Sequence, residues 1–281
     1  MFSRFIHQIH YMAKHFWKEA FSVMGVLLAL SGFATRFFPG FAKLTAGWIP
    51  FIITLTACVI VGFFRTWKPS KVCFKIHNTD TDIEIVFGDL FEQVGLRVIP
   101  VNEFFDSEIG TPVSAKTLHG IFIQRYFGVN SVTFDAKISD GLHYITPATE
   151  PVKNQGKNQR YPIGTTVALT INNDQYLAFA LSKTDPATCK AFCDVATMWI
   201  ALEGLWNKAR IESGGDAINV PLVGSGQSGV SLPAKDLLDL IILSIIKTSQ
   251  KNRIAQKIRI VLQYDRFAEL DLRSVKQHWE R

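Results

Sequence analysis

The N-terminal quarter of the chain contains two uncharged, largely apolar runs, at residues 20–35 and 44–64. The second run has 21 residues, enough for a helix to cross a hydrocarbon core of about 30 Å. The first run reaches a similar length if Phe16 and Trp17 lie at the interface and the Lys18 side chain extends towards water. With Pro39-Gly40 as a tight turn, the pattern predicts a transmembrane helical hairpin within residues 1–68, with spans at about 16–36 and 44–64.

Two other interpretations of these runs fit the pattern less well. A signal peptide has a short apolar core near the start, whereas here about 19 mixed residues precede the first run and a second run follows. Two core helices of a soluble domain would carry polar faces, whereas residues 44–64 are interrupted only by Thr and Trp. We therefore favour the membrane hairpin.

From residue 71 onwards, the pattern changes to short segments in which strands and helices follow one another. Strands are predicted at residues 72–77, 83–87, 95–101, 165–172, 175–182, 217–223 and 257–264. Helices are predicted at residues 114–127, 185–212, 232–248 and 266–280. Ser114 is expected to cap the first of them, and Asp185 is expected to cap the second, with Pro186 as its first residue. Such an order predicts an α/β domain over residues 71–281, with a mixed sheet covered by helices on both faces in three α/β/α layers. The polar residues 149–162 are predicted to form a loop.

The charges of the chain are concentrated around the hairpin. The sequence has 30 basic and 24 acidic residues, and seven of the basic but only one of the acidic residues precede residue 71. The remaining part has 23 of each sign, so the basic pI of about 9.1 comes from the membrane flanks. A nucleic-acid-binding surface needs clustered positive charge on the soluble part, so we expect no nucleic acid partner.

The same charges predict the orientation of the hairpin. Three basic residues precede or begin the first span, and Arg65, Lys68, Lys71 and Lys75 follow the second, whereas the connecting turn has two. Because basic residues are enriched on the cytoplasmic side, we expect a multi-pass protein of the cell inner membrane with both termini in the cytoplasm.

The four cysteines give no sign of a metal site. Cys58 lies within a span, Cys73 stands alone, and Cys189 and Cys193 are four residues apart on a predicted helix. No further Cys or His follows at a ligand spacing, so we predict free thiols in a reducing compartment and no metal.

A glycine-rich turn, "GSGQSGV", joins the strand at residues 217–223 to the helix at 232–248. Ligands bind at the carboxyl ends of strands in α/β sheets, and a glycine turn there lets backbone N–H groups approach an anion beside a helix N-terminus. The turn is not a P-loop, because no Gly-Lys-Ser/Thr follows. A plain strand-to-helix connector is the alternative. The candidate anion-binding residues are Gly224, Ser225, Gly226, Gln227, Ser228, Gly229 and Val230.

This turn resembles the second phosphate loop of macrodomains, the fold that binds ADP-ribose, and other segments follow in the order of that family. "IEIVFGDLF" resembles the strand that ends in Gly-Asp-aliphatic, which implies a contact of Asp89 and Leu90 with adenine. "LRVIPVNEFFD" resembles the next strand, which implies that Asn102 lies at the distal ribose. "KIRIVLQYDRFAEL" resembles the last strand and helix, which implies that Tyr264 or Phe267 stacks on adenine. The resemblance covers roughly residues 71–281 and implies an ADP-ribose derivative as ligand, with no further cofactor.

The chemistry of these side chains agrees with that implication. A carboxylate can accept a hydrogen bond from an exocyclic amine, and an asparagine amide can both donate to and accept from ribose hydroxyls. For both Asp89 and Asn102, however, an ordinary turn residue is the alternative interpretation.

The chain departs from the family where hydrolytic members have a glycine-rich first phosphate loop. The corresponding stretch, "EFFDSEIGTPVSAKTLHG", has Gly110 and Gly120 far apart. His119 is a candidate general base, although we expect it on a helix surface, and no nucleophile–base pair of recognisable spacing is present. We therefore predict no catalytic residues.

Two spans followed by a macrodomain-like unit resemble the membrane-anchored effectors of Thoeris anti-phage defence. That resemblance implies a nucleotide second messenger, made from NAD by a TIR-domain enzyme, whose binding makes the effector damage the membrane lipid and kill the cell. Two helices cannot enclose a pore, so activation is expected to form a homo-oligomer, with small residues for helix contact at Ser31, Gly32, Ala34, Thr45, Ala46 and Gly47. The alternatives are a membrane-tethered ADP-ribosyl hydrolase and a scaffold that binds ADP-ribosylated partners.

Overall fold

A computed structural model describes residues 2–76, 79–128, 131–150, 152–226 and 229–280. The chain forms two compact units. One consists of Met1–Ser70 with Asp271–Arg273, and the other consists of Lys71–Leu270 with Ser274–Arg281.

The N-terminal unit is helical. It contains α1 (Phe2–Phe37), α2 (Pro39–Thr45) and α3 (Trp48–Thr66), and both α1 and α3 are long and apolar enough to cross a membrane. The first predicted span forms the later part of α1, which extends back to Phe2. Instead of a tight turn, Pro39 and Gly40 begin α2, because proline is favoured at the first position of a helix, where its missing N–H costs no hydrogen bond.

The large apolar side chains of α1 and α3 point outwards. Leu30, Phe33, Ile49 and Ile53 are 61–73% exposed. Helices in the core of a soluble domain bury such residues, so this exposure favours the hairpin over the soluble-core alternative.

The second unit alternates strands with helices. Its strands are β1 (Lys71–Lys75), β2 (Asp82–Phe87), β3 (Leu96–Asn102), β4 (Ala148–Thr149), β5 (Gln159–Arg160), β6 (Thr166–Ile171), β7 (Asp174–Thr184), β8 (Ala191–Phe192), β9 (Ile218–Pro221) and β10 (Lys257–Leu262). Its α-helices are α4 (Leu118–Tyr126), α5 (Val132–Leu142), α6 (Val195–Glu212) and α7 (Ala234–Lys251), and α8 (Leu272–Trp279) follows near the C-terminus. Short 3₁₀ helices occupy Leu90–Glu92 and Tyr264–Arg266.

The main sheet has the order β1-β2-β10-β9-β3-β7-β6, with β8 paired to β7. Neighbouring strands from β2 to β7 in this order run parallel, while β1 and β6 pair antiparallel at the two edges. The predicted mixed sheet is thereby confirmed, and the hairpin expected around Asn172 forms with both Asn172 and Asn173 at positive φ.

Helices cover both faces of the sheet. On one face, side chains of β3 and β7 form an apolar cluster with Phe122 of α4 and Phe134 of α5. The residues that alternate with them, such as Val98 and Phe179, face the other way and are also buried. On that second side α6 packs against β7, and Trp206 donates a 2.9 Å hydrogen bond to Ser244 of α7. The domain therefore has the three predicted layers.

The helix predicted over residues 185–212 is shorter than expected. α6 begins at Val195, because Asp194 rather than Asp185 caps it by accepting a 2.7 Å hydrogen bond from Thr197 N. Asp185 instead accepts from Thr188 N at 2.7 Å in a separate turn. Cys189 and Cys193, expected on one helix, both precede α6.

Other elements also differ from the sequence-based prediction. The helix expected to be capped by Ser114 is capped by Thr117, which accepts from Gly120 N at 3.1 Å. α5 and the small β4–β5 pair were not predicted, and the last predicted helix is shortened to α8.

A row of polar side chains crosses the sheet near the amino ends of β2, β10 and β9. Glu84, Arg259 and Asn219 occupy paired positions on these strands. The Arg259 guanidinium donates to Glu84 and, over 2.7 Å, to Asn219 Oδ1, while Lys71 Nζ lies 2.8 Å from Glu84 Oε2. Burial favours a raised pKa for Glu84, but the hydrogen bonds from Lys71 and Arg259 outweigh burial and hold the pKa below its usual value.

Replacing Glu84 by alanine should destabilise the sheet strongly, because it leaves Arg259 without its buried partner. We expect the free energy of unfolding to fall by about 3 kcal/mol, measured by urea denaturation of the full-length protein in detergent. Glu203→Ala is the matched control, since Glu203 forms an exposed pair with Lys247 and should cost less than about 1 kcal/mol. Equal losses in both variants would contradict this role of Glu84.

Candidate functional site

The carboxyl ends of four neighbouring parallel strands meet at one edge of the sheet. Phe87 at the end of β2 pairs with Leu262 at the end of β10, and Pro221 at the end of β9 pairs with Val261. Gly88 N donates to Leu262 O at 2.9 Å, so the pairing of β2 with β10 continues to the first residue of the loop after β2. β3 ends at Asn102 on the other side of β9. The loops that hold Asp89, Asn102, the glycine turn and Tyr264 therefore all leave from this edge.

Gly224, in the glycine turn after β9, has a restricted backbone conformation. Gly224 has φ +82°, a conformation that disfavours other residues, and a Cβ there would lie 3.0 Å from side chains of Leu237 and Val230. Val230 N donates to Gly224 O at 3.0 Å, which closes the turn. A Cβ at Gly226, by contrast, would meet no atom of the described residues within 4 Å. The predicted residues Gln227 and Ser228 lie outside the described residues.

A cavity of about 280 Å³ adjoins the turn. Its lining residues are Gly224, Ser225, Gly226, Gly229, Ser231, Leu232, Ala234 and Arg266. Ala234 is the first residue of α7, and Pro233 at the cap position makes no side-chain hydrogen bond to the helix. The free N–H groups at the start of α7 carry partial positive charge, so the cavity favours an anion.

Arg266 is the charged residue among the described lining residues, and it was not among the site residues predicted from the sequence. It ends the 3₁₀ helix that follows β10, and its side chain is 31% exposed. Its Nη1 donates to both carboxylate oxygens of Glu269 at 3.2 Å, and its Nε lies 3.8 Å from Asp265 Oδ2. The sequence signal that could have identified Arg266 is its position two residues after Tyr264, one of the aromatic residues expected to stack on adenine.

The residues expected at adenine lie on the loops after β2 and β10. Asp89 caps the first 3₁₀ helix by accepting from Phe91 N at 2.9 Å, and its side chain remains 47% exposed. Leu90 is buried. The Tyr264 ring is half-buried and stacks at 6.1 Å on Phe87, whereas Phe267 is only 2% exposed and packs edge-on against the same ring. Of the two aromatic candidates, Tyr264 is therefore the accessible one.

Asn102, expected at the distal ribose, is bonded to a neighbouring loop. Its Nδ2 donates to Asp106 Oδ2 at 2.8 Å, and its Oδ1 accepts from Asp106 N at 3.1 Å. The residue is buried, so both polar groups of its amide are engaged within the protein.

Asp106 in turn forms a fully buried ion pair with Lys153. Lys153 Nζ lies 2.6 Å from Asp106 Oδ2, and neither side chain is exposed. Lys157 N donates to Asp106 Oδ1 at 2.8 Å, and a Cβ at Gly156 would overlap the same oxygen. The polar segment 149–162, expected as a loop, is thus fastened to the carboxyl end of β3.

Comparison with known protein families assigns the chain to a family. The model of the family "Thoeris protein ThsA, Macro domain" matches residues 83–263, from β2 to just beyond β10. The chain belongs to this family.

Solved structures similar to this macro domain include an Oceanobacillus iheyensis macrodomain described as with ADP, at 13% identity and a TM-score of 0.49, covering 74% of this chain and 96% of that chain. An asparagine-to-alanine mutant of the Oceanobacillus macrodomain is similar at 13% identity and a TM-score of 0.48, covering 74% and 93%. A comparison with curated proteins found no match.

His119 of the macro domain is buried, contrary to the expected position on a helix surface. It lies on α4 with its ring 6.0 Å from Phe134, and within the described part of the chain its Nε2 has no hydrogen-bond partner. Burial, assisted by the nearby Lys157 ammonium, lowers the pKa of His119 to about 3. The imidazole is therefore neutral at physiological pH and shielded from solvent.

This buried histidine should make the macro domain sensitive to acid. The unfolded state binds a proton below pH 6.5 while the folded state does not until about pH 3, so stability is complete above 6.5 and falls below it. We expect a loss of about 1.4 kcal/mol per pH unit, measured by unfolding between pH 6.5 and about 5. His119→Leu should reduce this slope, whereas the exposed control His143→Leu should not. An unchanged slope in His119→Leu would refute the assignment.

Proposed function

We propose that this protein is a membrane-anchored effector of Thoeris anti-phage defence that binds an ADP-ribose-derived nucleotide signal. One observation carries the proposal. In a member of the ThsA macro family, the glycine turn, the start of α7 and Arg266 line a single cavity at the carboxyl edge of the sheet. Its volume of about 280 Å³ is close to the lower end of small-molecule pockets, roughly 300 Å³.

The proposed pose places the diphosphate on the turn formed by residues 224–230. Asp89 and Leu90 would contact adenine, and Tyr264, rather than Phe267, would stack on it. The Asp89 side chain is 47% exposed, its Oδ1 accepts from Phe91 N, and its Oδ2 lies 4.0 Å from Arg125 Nη1, so an adenine amine would bind to Oδ2 beside Arg125. Asn102 would serve the distal ribose only after exchanging its bonds to Asp106 for bonds to the ligand.

The membrane part of the proposal rests on α1 and α3. We propose that both helices span the inner membrane, with both termini in the cytoplasm, because basic residues flank the spans on that side. The outward-facing apolar side chains of the two helices support contact with lipid. Two helices enclose no water-filled path, so activation would require several copies of the protein.

The trigger would be a signal made by a TIR-domain enzyme. A ligand drives assembly only if it binds the assembled form more tightly, and a nearly complete switch requires a preference of about 10⁴-fold. Membrane disruption and cell death would then follow from the gathered hairpins.

A receptor fits the site better than a tethered hydrolase. The candidate base, His119, is buried, and its pKa of about 3 makes it a weak proton acceptor at neutral pH. A scaffold for ADP-ribosylated partners remains the other alternative, and it differs from a receptor in having no ligand-dependent effect on the membrane.

Gly226→Glu should abolish nucleotide binding without disturbing the fold. Among the described residues a Cβ at this position meets no atom within 4 Å, but a glutamate would put a carboxylate where the diphosphate is proposed to bind. Calorimetry of the full-length protein in detergent with ADP-ribose is the measurement. Gly226→Gln, of similar size and no charge, is the matched control and should lose less affinity. Undiminished affinity in Gly226→Glu would mean that the turn is a connector only.

Ligand binding should also increase the permeability of membranes that contain the protein. We expect ADP-ribose to raise both the mass of the assembled protein and the release of a trapped dye from reconstituted vesicles. Gly226→Glu in the same vesicles should insert normally and release no additional dye. If mass and leakage were equal with and without ADP-ribose, a tethered hydrolase or a scaffold would be the better description.

A further inference from the structure

We propose that Arg266 recognises the diphosphate of the ligand and makes this site selective for nucleotides over nucleosides. The inference rests on the proposed function and adds to it a residue outside the glycine turn. Its starting point is the cavity, which Arg266 lines together with Ser225 and Gly226.

The charge of the lining points to an anion. Arg266 supplies a full positive charge, the turn and the start of α7 supply backbone N–H groups, and no carboxylate is among the lining residues that the structure describes. Glu269 and Asp265 contact the Arg266 side chain but do not line the cavity. An arginine remains charged at every physiological pH, so its attraction for phosphate is always present.

The hydrogen bonds of Arg266 leave donors for a ligand. Glu269 accepts from Nη1, and Asp265 Oδ2 lies 3.8 Å from Nε, beyond ordinary hydrogen-bond distance. Among the described residues, Nη2 donates to no protein acceptor. Because a guanidinium has five N–H groups in one plane, Nη1 can stay on Glu269 while the remaining donors bind phosphate oxygens.

We therefore assign Glu269 a role in positioning the Arg266 guanidinium and not in contacting the ligand. The pair is partly exposed, with side-chain exposures of 31% and 50%, so it contributes little to stability. The structure thus separates two roles that mutagenesis can distinguish, a direct phosphate contact by Arg266 and a local contact between Arg266 and Glu269.

The test combines shortened ligands with variants of the full-length protein in detergent. ADP-ribose, ADP and adenosine would be titrated by calorimetry against the wild type, Arg266→Gln and Arg266→Lys. We expect Arg266→Gln to raise the Kd for ADP-ribose and ADP by about 10- to 100-fold, the range for a hydrogen bond to a charged group. The Kd for adenosine should stay unchanged, since adenosine has no phosphate. Arg266→Lys should be intermediate, because it keeps the charge but loses the planar fork.

Two controls identify a structural effect. Arg210→Gln removes an exposed arginine of α6 and should leave all three Kd values unchanged. Glu269→Ala should change the Kd for ADP by less than about 5-fold. If Glu269→Ala reproduced the Arg266→Gln loss, or if Arg266→Gln weakened adenosine and ADP equally, the phosphate contact would be refuted. Failure of the wild type to bind any of the three ligands would overturn the proposed function and this inference together.

Discussion

The register of the central strands depends on the buried polar row of Glu84, Arg259 and Asn219. These side chains bond to one another across β2, β10 and β9, and Asn219 Nδ2 also donates to Val94 O at 3.0 Å, just before β3. A slip by one residue would turn each of them to the opposite face and leave buried charges unpaired, which costs several kcal/mol. The row lies near the amino ends of the strands and supports the register in which Phe87 pairs with Leu262, and Val261 with Pro221, at their carboxyl ends.

The candidate site gains its character mainly from backbone groups at that edge. The turn at Gly224 and the uncapped start of α7 offer N–H donors that no single side chain replaces, and Arg266 adds the full charge that a partial helix charge lacks. Asp89 and Tyr264 lie on neighbouring loops because β2 and β10 are paired. The order of the strands thus places the loops of the site. The backbone N–H groups favour an anion, and the side chains add to that preference.

The sequence predicted those parts of the structure that depend on local pattern. Apolar runs and turn residues located β2, β3 and the β6–β7 hairpin, and the glycine spacing located the turn, because each signal lies within about ten residues. It did not predict the Asp106–Lys153 pair, whose members are 47 residues apart, or the burial of His119, which depends on packing against α5. Asp185-Pro186 misled the prediction of α6 because that dipeptide suits a turn as well as a helix start. Arg266 was missed because only the fold brings it to the turn.

The ion pair between Asp106 and Lys153 also limits how the segment around Gly156 can move. Both charges are fully buried, so any displacement of the segment must hydrate the two groups at the same moment, and partial displacement leaves charges without either partner or water. Small displacements of the segment are therefore costly. The pair therefore holds the segment around Gly156 against the end of β3, and Asn102, which bonds to the same Asp106, is held in place with it.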